Sequence, residues 1–329
     1  MNELEADGSI SSFIETLKKS DKNYADTNKE TWFRGQPDYA HRLIPSVFRN
    51  IFNNDNPSYN QIEMYDEAGM YAEFVRRYPE HSHNHKNVFE WLTLMQHYHL
   101  PTRLLDWTTN LLVALFFCCN GEKDKDGAIF AFNPMADYSL PNGFGKFLEI
   151  QVTSYDHNIF YEQLVMLAEN EFGENTKING VKINDIKNDI GHKYSAINNP
   201  TRCFESFESW RTCHGISDYY DNIKEFYHVY TFRPPHLNQR IRQQHGCFTF
   251  HGGKFFEGRK FIMYEPMELQ YSLVKIKVKR EDKPKLLDEL AMLGIYEATL
   301  FPEMEYQSKQ IKDLYRMDYK LIKNTQILY

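Results

Sequence analysis

The stretch HYHLPTRLLDWTTNLLVALFFCC, residues 97–119, joins a dense polar cluster to an unbroken apolar run. The apolar run, residues 111–119, must be buried, because it offers no polar face to water. The polar cluster before it contains two His, three Thr, one Arg and one Asp. A polar cluster attached to a buried segment lies at the edge of a core. We therefore predict that this stretch forms the floor of a site on which the other motifs converge.

Helix signals lie on both sides of the polar cluster. Asn87 is a good N-cap, and Glu90 three residues later makes a capping box for a first helix. Pro101 ends this helix near His99. A rigid loop is expected over residues 101–109, followed by a central helix over about 110–119.

Composition limits the class of protein. The chain has 329 residues, 38 basic and 45 acidic, and a net charge of −7, so it has no overall electrostatic bias toward nucleic acid. No apolar run is long enough to span a membrane, and the N-terminus lacks the basic region of a signal peptide. The five cysteines show no CxxC spacing, which indicates free thiols in a reducing compartment. We expect a cytoplasmic protein without a membrane partner.

The order of predicted elements indicates an α+β fold rather than repeating βαβ units. Helices dominate the first half, and strands outnumber short helices in the second. Predicted helices cover residues 10–19, 61–77, 158–170, 284–293 and 302–317; predicted extended segments cover 127–132, 147–152, 226–232, 246–251, 272–279 and 295–301. Residues 1–27 form an N-terminal helix and linker. Residues 28–329 form the main domain, with an insertion at about 171–225.

Arg34 is the first candidate ligand-binding residue. Trp32 and Phe33 predict a short buried strand, which Gly35 and Pro37 end. An arginine at the end of a buried strand has a fixed backbone and offers a bidentate fork to an anion. The alternative is that Arg34 pairs with an internal carboxylate such as Asp106.

Two further motifs carry polar side chains. Arg242 and Gln244 precede Gly246 in a segment suited to an anionic ligand, although a solvated helix end is the alternative. The run HSHNH, residues 81–85, could bind a metal as a strand. It lies in a loop without acidic or Cys partners nearby, so we favour a solvated loop and expect no metal.

The motifs together resemble the FRG domain family, named for its Phe-Arg-Gly motif. Phe33-Arg34-Gly35 is followed by HYHLPTRLLDWT at residues 97–108, by RQQHGCF at residues 242–248 and by Leu300-Phe301-Pro302. The resemblance covers about residues 28–132 well, and residues 242–250 and 294–305 more loosely. It implies an FRG-type domain with a helical first half and mixed small β-sheets.

A second, weaker resemblance is to ADP-ribosyltransferases, which carry an aromatic-Arg-Gly at the end of a first core strand. It implies NAD as the cofactor, a split sheet, Arg34 on the pyrophosphate and Gly35 close to the nicotinamide ribose. Thr108 and Thr109 stand for the family's middle Ser/Thr element, although they precede a helix. The family's late Glu is not matched, because Gln244 occupies its place; Glu303 and Glu305 are the alternatives.

The first functional hypothesis is an NAD-binding, ADP-ribosyltransferase-like or NAD-cleaving effector of the toxin or phage-defence type. Its partners would be an acceptor protein or nucleic acid, and an antitoxin or partner subunit. The candidate NAD-binding residues are Arg34, Gly35, Gln36, Thr102, Arg103, Asp106, Thr108 and Arg242. The candidate catalytic residues are His97, His99, Gln244 and Glu303.

Two other hypotheses stay open at this stage. The protein could be a phosphodiester nuclease with His97 or His99 as general acid–base and an arginine on the phosphate. It could also be a non-catalytic module that binds a nucleotide or a partner. The polar cluster itself could instead be an internal network in which Arg103 pairs with Asp106.

Overall fold

A computed structural model describes residues 1–26, 29–49, 65–134, 144–153, 177–178, 181–182, 229–253, 267–270 and 272–316. Its strands are β1 (Asn2–Glu5), β2 (Trp32–Gln36), β3 (Leu104–Thr108), β4 (Gly127–Phe132), β5 (Lys177–Ile178), β6 (Val181–Lys182), β7 (Val229–Phe232), β8 (Gly246–His251) and β9 (Val274–Val278). Its helices are α1 (Ile10–Ser20), α2 (Lys22–Ala25), α3 (Glu67–Arg77), α4 (Val88–His97), α5 (Leu111–Cys119), α6 (Phe144–Thr153), α7 (Gln239–Gln243), α8 (Met267–Gln270), α9 (Lys283–Met292), α10 (Glu297–Leu300) and α11 (Met304–Leu314). Short 3-10 turns cover Ser46–Phe48 and Pro79–His83.

One seven-stranded sheet organises the described chain, with strand order β1-β9-β4-β2-β3-β8-β7. β1 runs parallel to β9, and the other neighbouring strands are antiparallel. β5 and β6 form a separate pair. The α+β class predicted from the sequence is confirmed, but a single large sheet replaces the expected small ones. No helix in the described ranges is long and apolar enough to cross a membrane.

The central helix α5 packs across β2, as the apolar run predicts. Its buried side chains form one core with Ile129, Val274 and Ile276 on the same side of the sheet. A second core lies around α4, Leu104 and Phe250. The sheet is therefore covered by α5 over one part and by α4 over the neighbouring part, and the boundary between the two falls near β2 and β3.

Three expected elements differ in the structure. Residues 101–109 contain the strand β3, because Leu104, Leu105 and Trp107 are buried and pair in register with β8. The predicted strand at 147–152 is part of helix α6, whose alternating apolar residues also satisfy helical spacing. The expected extended segment at 295–301 contains the short helix α10, at whose start the Tyr296 amide donates to the Thr299 hydroxyl over 3.0 Å.

Some sequence predictions fall outside the described residues. They are the helix expected at 158–170, the first turns of the helix expected at 61–77, and most of the insertion expected at 171–225. Within that insertion only β5 and β6 are described.

The sheet is least continuous between β2 and β3. These strands share one registered pair, Phe33 with Thr108, whereas β2 pairs with β4 and β3 pairs with β8 over five positions each. Beyond that pair, β2 and β3 do not continue the backbone pairing of the sheet. Their separation leaves a gap in the middle of the sheet. The side chain of Arg34 enters this gap.

Gly35 lets β2 approach α5 closely. A Cβ placed on Gly35 would lie 1.8 Å from the carbonyl oxygen of Ala114 and 2.8 Å from the amide nitrogen of Cys118. Both atoms belong to a helix backbone and cannot rotate away. The sequence resemblance implied that Gly35 admits a ligand, but helix packing already requires a glycine here.

We predict that Gly35→Ala is strongly destabilising, because the added methyl would push α5 off the sheet at a cost of about 1–3 kcal/mol or more. Gly246→Ala is the matched control, since a Cβ there meets its nearest neighbour at an ordinary 3.4 Å. Urea unfolding of both variants measures the difference. Equal midpoints would show that the approach of β2 to α5 does not constrain the fold.

Candidate functional site

A cleft of about 400 Å³ opens where β2 and β3 separate. Strands β2, β3 and β8, the C-terminal end of α4, helix α5 and helix α7 supply its walls. Its polar lining consists of Arg34, Ser46, Arg49, Thr93, Gln96, His97, His99, Asp106, Thr108, Asn238, Arg240 and Gln244. Its apolar lining includes Phe33, Trp107, Phe117 and Phe248.

Arg34 is held at the gap by the backbone of β3. Its Nη1 donates to the carbonyl oxygen of Asp106 over 2.7 Å and lies 3.6 Å from the Asp106 carboxylate. The prediction that Arg34 faces the polar segment is confirmed, and so is its proximity to Asp106. Burial lowers the pKa of the guanidinium; Asp106 opposes this shift, and the nearby charge of Arg49 adds to it.

Arg34 also keeps unused hydrogen-bonding capacity. Its Nε is buried and has no hydrogen-bond partner among the described residues. Leaving a buried donor unsatisfied costs about 1–3 kcal/mol, so such an atom at the wall of a cleft indicates a place for an acceptor.

Asp106 projects from the middle of a buried strand. Its four neighbours in β3 are buried, whereas the Asp106 side chain exposes 58% of its surface. Gln96 donates from Nε2 to Asp106 Oδ2 over 3.0 Å and accepts from the Thr102 hydroxyl over 2.5 Å. The sequence predicts that Gln96 lies in a helix, but it does not show that Gln96 contacts Asp106 and Thr102. Gln96 was therefore not among the predicted site residues.

The two histidines both line the cleft. His97 ends α4, and His99 adopts a left-handed conformation with φ 63° where the chain turns toward Pro101. Burial is the main cause that lowers the pKa of His97; Arg240 and His99 add to this shift, and Glu303 opposes it. The Nε2 of His97 lies 3.9 Å from Glu303 Oε1.

Gln244 lies in the cleft wall, as the sequence predicts. Its carbonyl oxygen accepts from the Thr108 hydroxyl over 2.7 Å, and its Nε2 donates to the Leu300 carbonyl over 3.1 Å. Glu303 is not part of the lining but stands behind His97. Its Oε2 is buried without a partner among the described residues.

Four predicted binding residues lie away from the cleft lining. Gln36 and Thr102 are buried, and Gln36 donates to the Arg42 carbonyl. Arg242 is exposed on the outer side of α7, and Arg103 is fully buried elsewhere. Arg49 and Arg240 supply the cations in their place. Arg240 and Arg242 are two residues apart on the five-residue helix α7. They therefore point to different sides of the helix, and only Arg240 faces the cleft.

Arg103 has a structural role. Its guanidinium donates to both oxygens of Glu67 over 2.8 and 2.5 Å, and also to Gln151 and to the carbonyls of His251 and Gly253. The alternative in which Arg103 pairs with Asp106 is therefore wrong. The carboxylate that pairs with Arg103 is Glu67 of helix α3, which the sequence did not single out.

The cleft is positively charged within an acidic protein. Among the described residues, three arginines line it, Arg34, Arg49 and Arg240, against the single carboxylate of Asp106. The whole chain carries a net charge of −7. A local cationic excess of this kind attracts anionic ligands.

The described histidines and thiols outside the cleft do not form a further site. No group of His, Cys, Asp and Glu among the described residues could hold a metal ion. His85 is buried against Trp91, with ring centroids 5.4 Å apart. Cys118 and Cys247 are buried free thiols whose pKa is raised by burial, so they are poor nucleophiles.

The fold and the cleft define an α+β protein with a cationic site in a gap of its sheet. Comparison with family models matches residues 29–127 to the FRG domain, and the chain therefore contains an FRG domain. The matched region carries Arg34, His97, His99 and Asp106, whereas Arg240 and Gln244 lie beyond it. Neither the curated proteins nor the solved structures contain a match to this chain.

We predict that Arg103→Met destabilises the protein by about 3–5 kcal/mol, because it leaves the buried carboxylate of Glu67 without its partner. The double variant Arg103→Met with Glu67→Gln should recover part of this loss by removing the stranded charge. Urea unfolding measures both. A single variant as stable as the wild type would contradict the structural role of Arg103.

Proposed function

We propose that the cleft binds a phosphate-bearing nucleotide, with NAD as its ligand, and that the protein transfers or hydrolyses ADP-ribose. The observation that carries the proposal is Arg34, a guanidinium fixed in the gap of the sheet with a buried Nε that has no described partner. A phosphate oxygen is a charged acceptor whose geometry matches the guanidinium fork.

The surroundings of Arg34 support an anionic ligand of nucleotide size. Burial and, less strongly, the charge of Arg49 lower the pKa of Arg34, and an anion bound between the two arginines would offset both effects. Arg240 brings a third cation from α7 and stacks over Phe301 at 4.6 Å. The half-buried Phe33 and Phe117 supply apolar surface for the planar parts of a nucleotide.

The chemistry of NAD cleavage suits the groups around the cleft. The bond between ribose C1′ and the nicotinamide nitrogen breaks, and nicotinamide leaves with the electron pair as a neutral base. Positive charge develops at C1′, and a nearby carboxylate stabilises it. Glu303 stands behind His97 and is the carboxylate proposed for this role. His97 would accept the proton of the attacking water or acceptor hydroxyl.

An enzyme that consumes NAD or modifies an acceptor would act as a toxin or phage-defence effector, restrained by an antitoxin or partner subunit. Growth arrest on expression of the wild type, but not of an Arg34 variant, would support this role.

We predict that Arg34→Ala weakens binding of NAD about tenfold to a hundredfold and abolishes nicotinamide release, because one or two charge-assisted hydrogen bonds are lost. The melting temperature should stay near that of the wild type, since Trp32 supplies the packing of β2. Arg242→Ala is the matched control, because Arg242 is exposed outside the cleft lining. Calorimetric titration and nicotinamide release measure the two effects.

The outcomes separate the interpretations of Arg34. A collapsed melting temperature would mean that Arg34 is a structural partner of Asp106. A melting temperature equal to that of the wild type, together with unchanged NAD binding, would show that Arg34 does not bind the ligand. Binding without nicotinamide release in the wild type would favour a non-catalytic nucleotide-binding module.

A phosphodiester nuclease is the second candidate. Its specific support is that His97 and His99 line the same cationic cleft and that the pKa of His97 is lowered, so that its ring is neutral and basic at pH 7. Degradation of RNA by the wild type without nicotinamide release from NAD would favour this function.

We predict that His97 sets the acid limb of the pH–rate profile. Its pKa lies below the usual 6.5, so the neutral base persists below pH 6.5 and the rate falls only as the pH drops through the lowered value. His97→Gln should remove this limb together with most of the activity. The measurement is the rate of NAD cleavage between pH 4.5 and 8. A limb retained in His97→Gln would assign the titration to another group.

A further inference from the structure

Asp106 has a property that the proposed binding of phosphate does not explain. A carboxylate repels phosphate, yet the side chain of Asp106 is the most exposed of β3 and points into the cationic cleft. A carboxylate at this place needs a different partner, one that donates hydrogen bonds.

The ion pair with Arg34 does not use the whole hydrogen-bonding capacity of the Asp106 carboxylate. The shorter contact of Arg34 is 2.7 Å to the Asp106 carbonyl oxygen, which any residue at this position would supply. The contact to the carboxylate is longer, 3.6 Å. The side chain of Asp106 is therefore available for a second function.

A relay of hydrogen bonds fixes the orientation of this carboxylate. The Thr102 hydroxyl donates to Gln96 Oε1, which directs the amide nitrogen of Gln96 to Asp106 Oδ2. Gln96 Nε2 also lies 3.5 Å from the Leu104 carbonyl. One carboxylate oxygen is thus held, whereas Oδ1 accepts no hydrogen bond from the described part of the chain.

An oriented carboxylate oxygen beside phosphate-binding arginines suits the hydroxyl groups of a ribose. A vicinal diol offers two donors to one carboxylate, and a nucleotide carries this diol within a few bonds of its phosphate. A 2′-phosphate would instead place a dianion against Asp106.

We propose that Asp106, positioned by Gln96, accepts the hydroxyls of a ribose diol, so that the cleft selects ribonucleotides with a free 2′-hydroxyl. This inference rests on the proposed binding of a nucleotide. Asp106 is the specificity-determining residue, and Gln96 is a positioning residue that acts through it.

The experiment compares ligands that differ only at the ribose 2′ position. Calorimetric titration of the full chain uses ADP against 2′-deoxy-ADP, and NAD against NADP. For the wild type we expect ADP to bind about tenfold or more tightly than 2′-deoxy-ADP, because one charge-assisted hydrogen bond is lost, and NAD to bind more tightly than NADP.

Three variants test the residues. Asp106→Asn keeps the carbonyl that holds Arg34 but loses the charge, so the ADP to 2′-deoxy-ADP ratio should fall toward one and NADP should gain affinity. Gln96→Leu should lower the same ratio less, while phosphate-driven affinity for 2′-deoxy-ADP stays near that of the wild type. Asp288→Asn, an identical change at an exposed position of α9, is the matched control and should leave every ratio unchanged.

The results distinguish this inference from the proposed function. Equal affinities for ADP and 2′-deoxy-ADP in the wild type, or a ratio unchanged in a folded Asp106→Asn variant, would overturn the inference and leave nucleotide binding intact. A change in Gln96→Leu that weakens both ligands equally would remove Gln96 as a positioning residue. Absence of binding by all four ligands would overturn both proposals.

Discussion

The close contact between helix α5 and strand β2 is the constraint on which the rest of the structure depends. The helix is apolar nearly all round, so it must lie in the interior, and the missing side chain of Gly35 lets β2 reach its backbone. With β2 fixed in this way, the backbone of Arg34 is fixed as well. β3 meets β2 at one pair only, and the gap beside that pair becomes a cleft with rigid walls.

Two arginines of the polar motifs show how packing separates structural from functional residues. Arg103 is fully buried and donates to Glu67, Gln151 and two backbone carbonyls. Arg34 donates one short hydrogen bond, to the Asp106 carbonyl, and its buried Nε has no partner among the described residues. Both are arginines beside buried apolar residues in the sequence. The difference lies in partners more than 30 positions away, which no local pattern reveals.

Much of the fold and part of the site could be predicted from the sequence, for identifiable reasons. Helix α5 follows from its unbroken apolar run, and the meeting of Arg34 with residues 97–106 follows because both are polar groups attached to buried segments. β3 was missed because its polar residues suggested a loop, although Asp106 is the only exposed position of that strand. Gln96 and Arg49 could not be found, since their roles depend on where the gap between β2 and β3 falls. Arg242 was chosen in place of Arg240, because a helix of five residues gives too little periodicity to fix its phase.

The parallel pairing of β1 with β9 has a consequence for how the chain acquires its structure. Residues 2–5 are synthesised long before their partners, residues 274–277. β9 also covers the edge of β4, so both β1 and β4 lack that neighbour until residues 274–278 have left the ribosome. Pairings of such high sequence separation form slowly, and an uncovered strand edge promotes aggregation in the meantime. A nascent or prematurely terminated chain that ends before residue 274 would therefore expose two unfinished edges and would be a natural substrate for chaperones.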